Sequence, residues 1–167
     1  MTEVAALRKS RRTAAIHEAP PATPEELRRY IPYLVNRLSN RISIDQNRFL
    51  ATMGLGNAAL RTLSVLHIYG RLTVNEISVL AVIEQSSASR TVDQMLETGL
   101  VTRELGAQDQ RRREVALTKD GATLLKKIWP QIARRAENLM DGISRADIEL
   151  CADVLARMID NVRQHDF

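Results

Sequence analysis

Two short stretches of this 167-residue chain gather side chains suited to recognising a charged polymer. The first is Ser86-Ser87-Ala88-Ser89-Arg90. A serine hydroxyl both donates and accepts, so Ser86, Ser87 and Ser89 suit phosphates or base edges without strong preference. The fork of Arg90 matches the two major-groove acceptors of guanine, which makes it the best base reader of the set. The plainer alternatives are a helix cap for Ser86 and a surface ion pair with Asp93 or Glu97 for Arg90. The second stretch is Arg111-Arg112-Arg113, with Arg103 nearby in sequence and Asp109 two positions ahead. Adjacent guanidiniums favour phosphate contact, and the alternative is a solvated loop tip.

Other chemistries lack their residues. One cysteine, Cys151, excludes an intrachain disulfide framework and a multi-thiolate zinc site. It lies among Leu150, Ala152, Val154 and Leu155, with Glu149 and Asp153 rather than cations beside it. A small core or interface residue is expected there, with a thiol redox switch as the alternative. His17, His67 and His165 show no metal-ligand spacing, and neither metal nor cofactor is expected. His67 reads as partly buried, and Trp129 as core or interface. No phosphate loop, nucleophile elbow or paired acid–base set stands out, so an enzyme is not expected.

Composition narrows the class. The 24 basic and 20 acidic residues leave a net charge of +4 and a pI near 9.6. Apolar residues make up 44% and charged residues 26%, which suits a folded soluble chain. Aromatics at 4% demand an aliphatic core and disfavour base stacking. No apolar run approaches the ~18 residues of a membrane span. Met1 to Arg12 is charged and lacks an apolar segment, so a secretory signal is not expected and a cytoplasmic location is.

The elements that must position the two stretches can be read in order. Residues 1–22 form a basic extension ending in Pro20-Pro21. Thr23-Pro24-Glu25-Glu26 opens a helix, and Leu27, Ile31, Leu34, Leu38 and Ile42 extend it as one long amphipathic helix to about Thr52, with Pro32 inside. Its stripe exceeds what a small domain needs, so part of it is expected to face another subunit. Asn57 is expected to cap the next helix, which stops at Gly70. Thr73-Val74-Asn75-Glu76 is a capping box opening a short helix. A break near Glu84 to Ser86 leads into a helix that carries Arg90 and ends at Gly99. Leu100 to Leu105 and Arg113 to Leu117 read as strands. Thr118 caps a long helix, and a last helix carries Ile148, Leu155, Ile159 and Val162. The fold class is mainly α with a two-stranded β wing: a winged helix-turn-helix plus a helical dimerisation region. The expected parts are the extension at 1–22, the first dimerisation helix at 23–54, the winged helix-turn-helix at 57–118 and the C-terminal dimerisation helices at 119–167.

Three local signatures resemble the MarR family of bacterial transcription regulators. They are the run from Ser86 to Val101, Asp109-Gln110-Arg111, and Ala116-Leu117-Thr118-Lys119-Asp120-Gly121. The resemblance covers roughly residues 24–165. It implies a homodimer whose two recognition helices read a pseudo-palindrome in double-stranded DNA, about 34 Å apart. It implies repression relieved by a small organic, often anionic, effector. Arg111 is then expected in the minor groove, with Asp109 holding Arg111 or Arg103, and Arg112 and Arg113 alternating toward phosphate. Arg41, Arg48 and His67 are candidates for the effector cleft. A winged-helix protein-interaction module is the alternative from another class.

Overall fold

The computed structural model describes residues 19–105 and 112–162. The chain divides after Phe49 into two compact units. In the first unit, α1 spans Pro24–Leu27 and α2 begins at Ile31, running on to Ala51. The Thr23 hydroxyl accepts from the Glu26 N–H at 3.2 Å, and Glu26 Oε2 accepts from the Ala22 N–H at 2.8 Å. That start is as expected, but the single long helix is not. Pro32 has no N–H to give to Arg28, and its ring crowds that carbonyl. The chain therefore breaks over Arg28–Tyr30 and restarts with Pro32 in the first turn of α2.

The second unit holds α3 (Asn57–Tyr69), α4 (Val74–Leu80), α5 (Gln85–Glu97), β1 (Val101–Leu105), β2 (Arg113–Leu117), α6 (Lys119–Leu139) and α7 (Arg145–Val162). Its core is aliphatic, as the scarcity of aromatics requires. Leu63, Ile77, Ala88, Val92, Met95, Val115 and Ile128 are all buried to within a few per cent. They come from α3, α4, α5, β2 and α6, so each element is pinned by one apolar stripe. The strands pair antiparallel, with Val101 opposite Leu117 and Leu105 opposite Arg113. Leu72 adds an isolated bridge to Val115, through bonds of 3.0 and 2.7 Å.

Helix starts divide into two kinds. Thr73 and Thr118 cap through their side chains. The cap of α3 is Gly56, not Asn57, and that of α5 is Glu84, not Ser86; neither makes a side-chain cap bond. Asn57 and Ser86 are instead the first and second residues of their helices.

The start of α6 is locked to the end of α5. The Thr118 N–H donates to the Leu100 carbonyl at 3.1 Å, and its hydroxyl lies 2.8 Å from the Gly99 carbonyl oxygen. That hydroxyl also accepts from the Gly121 N–H at 3.0 Å. A Cβ on Gly121 would stand 2.1 Å from the Leu100 carbonyl oxygen and 3.1 Å from its carbon. This is backbone against backbone, so no side chain can swing aside. By contrast, Val82 strains the turn between α4 and α5: its φ is 52°, a left-handed value that β-branched residues avoid, and its side chain is exposed.

Two expected outcomes follow from these contacts. Gly121→Ala should destabilise the fold by about 3 kcal/mol, the upper range for overpacking, read as a lower urea midpoint. Glu76 is held below the ordinary carboxylate range, first by the Thr73 N–H; burial opposes this as the next largest effect, and the Thr73 hydroxyl and Arg112 add to the lowering. A lowered folded-state value means stabilisation that is fully present above about pH 4.5 and lost as the pH falls through the folded-state value. Urea melts of the wild type and Glu76→Gln should therefore differ near neutrality and converge in acid.

Candidate nucleic-acid interface

Helices α4 and α5 with the turn between them form a helix-turn-helix, and the β1–β2 hairpin follows it. Ala88, Val92 and Met95 recur every three or four residues and turn one face of α5 into the core. The opposite face carries Ser86, Arg90, Asp93 and Glu97, all exposed and at the same spacing. Ser87 and Ser89 lie on its flanks, half-buried. Because the cap at Glu84 uses no side chain, the first N–H groups of α5 have neither an intrahelical acceptor nor a capping oxygen. The N-terminal end of the exposed stripe thus carries donors beside the exposed carboxylate of Glu84, and Asp93 and Glu97 sit toward its other end.

Arg90 makes no ion pair with Asp93 or Glu97; its Nε donates to the Ser86 carbonyl of its own helix at 3.3 Å. Asp93 is engaged elsewhere, by Arg103 Nη2 of β1 at 2.9 Å. That pair neutralises one of the two carboxylates on the stripe. Arg112 Nη2 lies 2.7 Å from Glu76 Oε1 of α4. A third pair joins Arg71 to Glu104 of β1. Arg113, one residue beyond Arg112, is exposed at the start of β2 and has no partner among the described residues. Asp109 and Arg111 lie outside the described residues.

The sequence therefore brings together Ser86, Ser87, Ser89 and Arg90 on one helix end, while Arg103 and Arg112 are already joined to carboxylates. Sequence reasoning missed the second duty of Glu76. Its place in the capping box was legible, but its partner lies 36 residues away and nothing local announces it. It also missed Arg61, whose Nη1 donates to the Val82 carbonyl at 3.2 Å across the turn.

The candidates for a small ligand fall in both units. Arg41 and Arg48 are exposed on α2 in the first unit. In the second unit, His67 lines an open cleft of about 490 Å³ between α3 and α6, with Ser64, Ile68, Leu125, Lys126, Trp129 and Pro130. His67 is exposed there, not partly buried as expected, and Trp129 is 52% exposed, which removes core from the core-or-interface expectation and leaves interface. Cys151 is likewise exposed, because α7 buries none of its residues among those described. Among the described residues no His, Cys, Asp and Glu group could hold a metal ion, and no helix is long and apolar enough to cross a membrane.

Comparison with known proteins places this arrangement. Residues 53–112 match the family model for the MarR family. A MarR family transcriptional regulator from Silicibacter pomeroyi is 35% identical, with a TM-score of 0.80 over 86% of this chain and 97% of that one. The S. aureus MepR–DNA complex shares the fold at 22% identity, with a TM-score of 0.71 over 80% and 99%. Bordetella bronchiseptica BpsR, whose DNA binding is regulated by 6-hydroxynicotinic acid, shares it at 19% identity, with a TM-score of 0.69 over 77% and 97%. At more than a third identity across nearly the whole of the Silicibacter pomeroyi protein, the chain belongs to the MarR family of transcriptional regulators.

Proposed function

We propose that this chain is a homodimeric, sequence-specific DNA-binding repressor released by a small organic anion. The observation that carries the reading is the donor-rich N-terminal end of α5, with Ser86, Ser87, Ser89 and Arg90 beside free N–H groups, followed directly by a basic hairpin. Arg90 reads a base, the serines and Arg113 contact phosphate, and Arg111 enters the adjacent minor groove with Asp109 orienting it. The shared fold of the S. aureus MepR–DNA complex supports this use of the element.

Dimerisation is supported by apolar side chains that each unit leaves in solvent. On α2 these are Ile31, Leu34, Val35, Leu38 and Ile42, and on α7 they are Leu155, Ile159 and Val162, both sets at helical spacing. Exposed stripes of this extent are interaction surfaces. A two-fold dimer would set its two recognition helices about one DNA turn, roughly 34 Å, apart.

The effector site is the cleft at His67. Ile68, Leu125, Trp129 and Pro130 suit an aromatic ring, while His67 and Lys126 suit a carboxylate. The regulation of BpsR by an aromatic acid supports that chemistry. Arg41 and Arg48 are further cationic candidates. The coupling is reciprocal: an effector that weakens DNA binding fivefold to 150-fold is itself weakened as much by DNA, equivalent to roughly 1–3 kcal/mol.

Fluorescence anisotropy on DNA from upstream of the chain's own coding sequence tests the reading. Binding should exceed that to scrambled DNA, and the preference should survive a rise in salt. Arg90→Ala should lose the preference more than it loses binding to random DNA. Equal losses on both would make Arg90 a phosphate contact only. For the effector, 6-hydroxynicotinic acid and simple benzoates should release the DNA, and Trp129→Ala should abolish that release while DNA binding persists. Release that survives Trp129→Ala would move the site elsewhere.

A further inference from the structure

Three ion pairs between elements converge on the hairpin, and they consume charges that a nucleic acid would otherwise meet. Arg112 Nη2 is 2.7 Å from Glu76 Oε1. The other oxygen of the same carboxylate, Oε2, accepts from the Thr73 N–H at 2.7 Å and from its hydroxyl at 2.8 Å. Glu76 is thus gripped from both sides. One oxygen closes the start of α4, and the other is aimed at the residue just before β2. On the opposite strand, Arg103 Nη2 holds Asp93 of α5 at 2.9 Å, with the Arg103 side chain only 28% exposed. Glu104, next along β1, is joined to Arg71 from the segment before α4. The hairpin is therefore tied to both helices of the helix-turn-helix by charge, with its hydrophobic attachment confined to residues such as Val101 and Val115.

We propose that Glu76 and Asp93 are positioning residues: through Arg112 and Arg103 they fix the pose of the hairpin against α4 and α5. Arg103 and Arg112 then serve recognition indirectly, and phosphate contact falls to the cations left unpaired. A guanidinium committed to a carboxylate releases few DNA counterions, so it contributes little to the salt dependence of binding. The proposal rests on the DNA-binding reading above, and its test separates the two.

The test pairs Glu76→Gln with Arg112→Ala, alone and combined. Glutamine keeps the capping bonds of a Thr-x-x-Glu/Gln box and removes only the charge, so α4 still starts correctly. On the upstream DNA fragment, each single variant should weaken binding roughly twofold to fivefold, the scale of a partly exposed ion pair. The slope of log affinity against log salt should not change, and the double variant should be no weaker than either single one. If Arg112 instead contacts phosphate, Arg112→Ala lowers that slope by about 0.9 and Glu76→Gln tightens binding by removing a carboxylate near DNA; either result overturns the proposal. A second arm needs no DNA. Amide exchange over Arg113–Leu117 in the free protein should speed up roughly twofold to fivefold in both single variants, by the same ion-pair scale. Unchanged exchange in both overturns the proposal even if the wild type binds no DNA, whereas accelerated exchange in a protein that binds no DNA upholds the clamp and removes only the DNA-binding reading.

Discussion

The approach of α6 to the carbonyl of Leu100 sets the geometry of the second unit. Only a glycine at 121 allows it, because any side chain would stand 2.1 Å from a backbone oxygen. Thr118 completes the joint by bonding Gly99, Leu100 and Gly121 at once. The end of α5, the root of the hairpin and the start of α6 are therefore one rigid corner. Gly99, at φ 71°, turns the chain into that corner, and the left-handed backbone it supplies is costly for other residues. The Leu-Thr-x-x-Gly pattern seen in the sequence is the chemical description of this joint.

Around that corner, charge and apolar burial have separate tasks. Val101 and Val115 seat the base of the hairpin in the core, and Leu72 adds a bridge to Val115. The ion pairs act further out, on side chains that remain partly solvated. Pairs of this kind contribute little to overall stability. Their value lies in direction: a bidentate-capable arginine on a fixed carboxylate restricts angle more than it deepens the energy minimum. Asp93 on a surface meant for a polyanion is then no contradiction, since its charge is spent on Arg103.

What was legible in the sequence follows from the range of each interaction. Thr23, Thr73 and Thr118 announce helix starts because their bonds close within three residues. Gly56 and Glu84 cap without a side-chain bond, so no residue type marked them, and the neighbouring Asn57 and Ser86 drew the assignment instead. The break at Arg28–Tyr30 is encoded in Pro32, but the apolar period from Leu27 through Ile31 to Leu34 runs across it and masks it in the sequence. The two strands were visible from alternation and the flanking glycine. The partners of Arg103 and Arg112 were not, because both depend on where separate elements come to rest. Exposure of His67 was equally illegible, and for Trp129 and Cys151 the choice between core and interface was, since apolar neighbours in sequence do not say whether another element of the chain covers them.

Val82 bears on how such a chain can change over generations. Its left-handed backbone is unfavourable for a β-branched residue, its side chain gains little from the core, and Arg61 holds its carbonyl in place. The turn thus carries a local deficit that no packing contact depends on. Substitutions on the exposed stripe of α5 that retarget recognition tend to cost stability, as most substitutions do. A glycine or asparagine arriving at 82 would offset such a loss without altering the reading face. The helix-turn-helix therefore holds a reserve of mutational tolerance beside the surface where new specificities would arise.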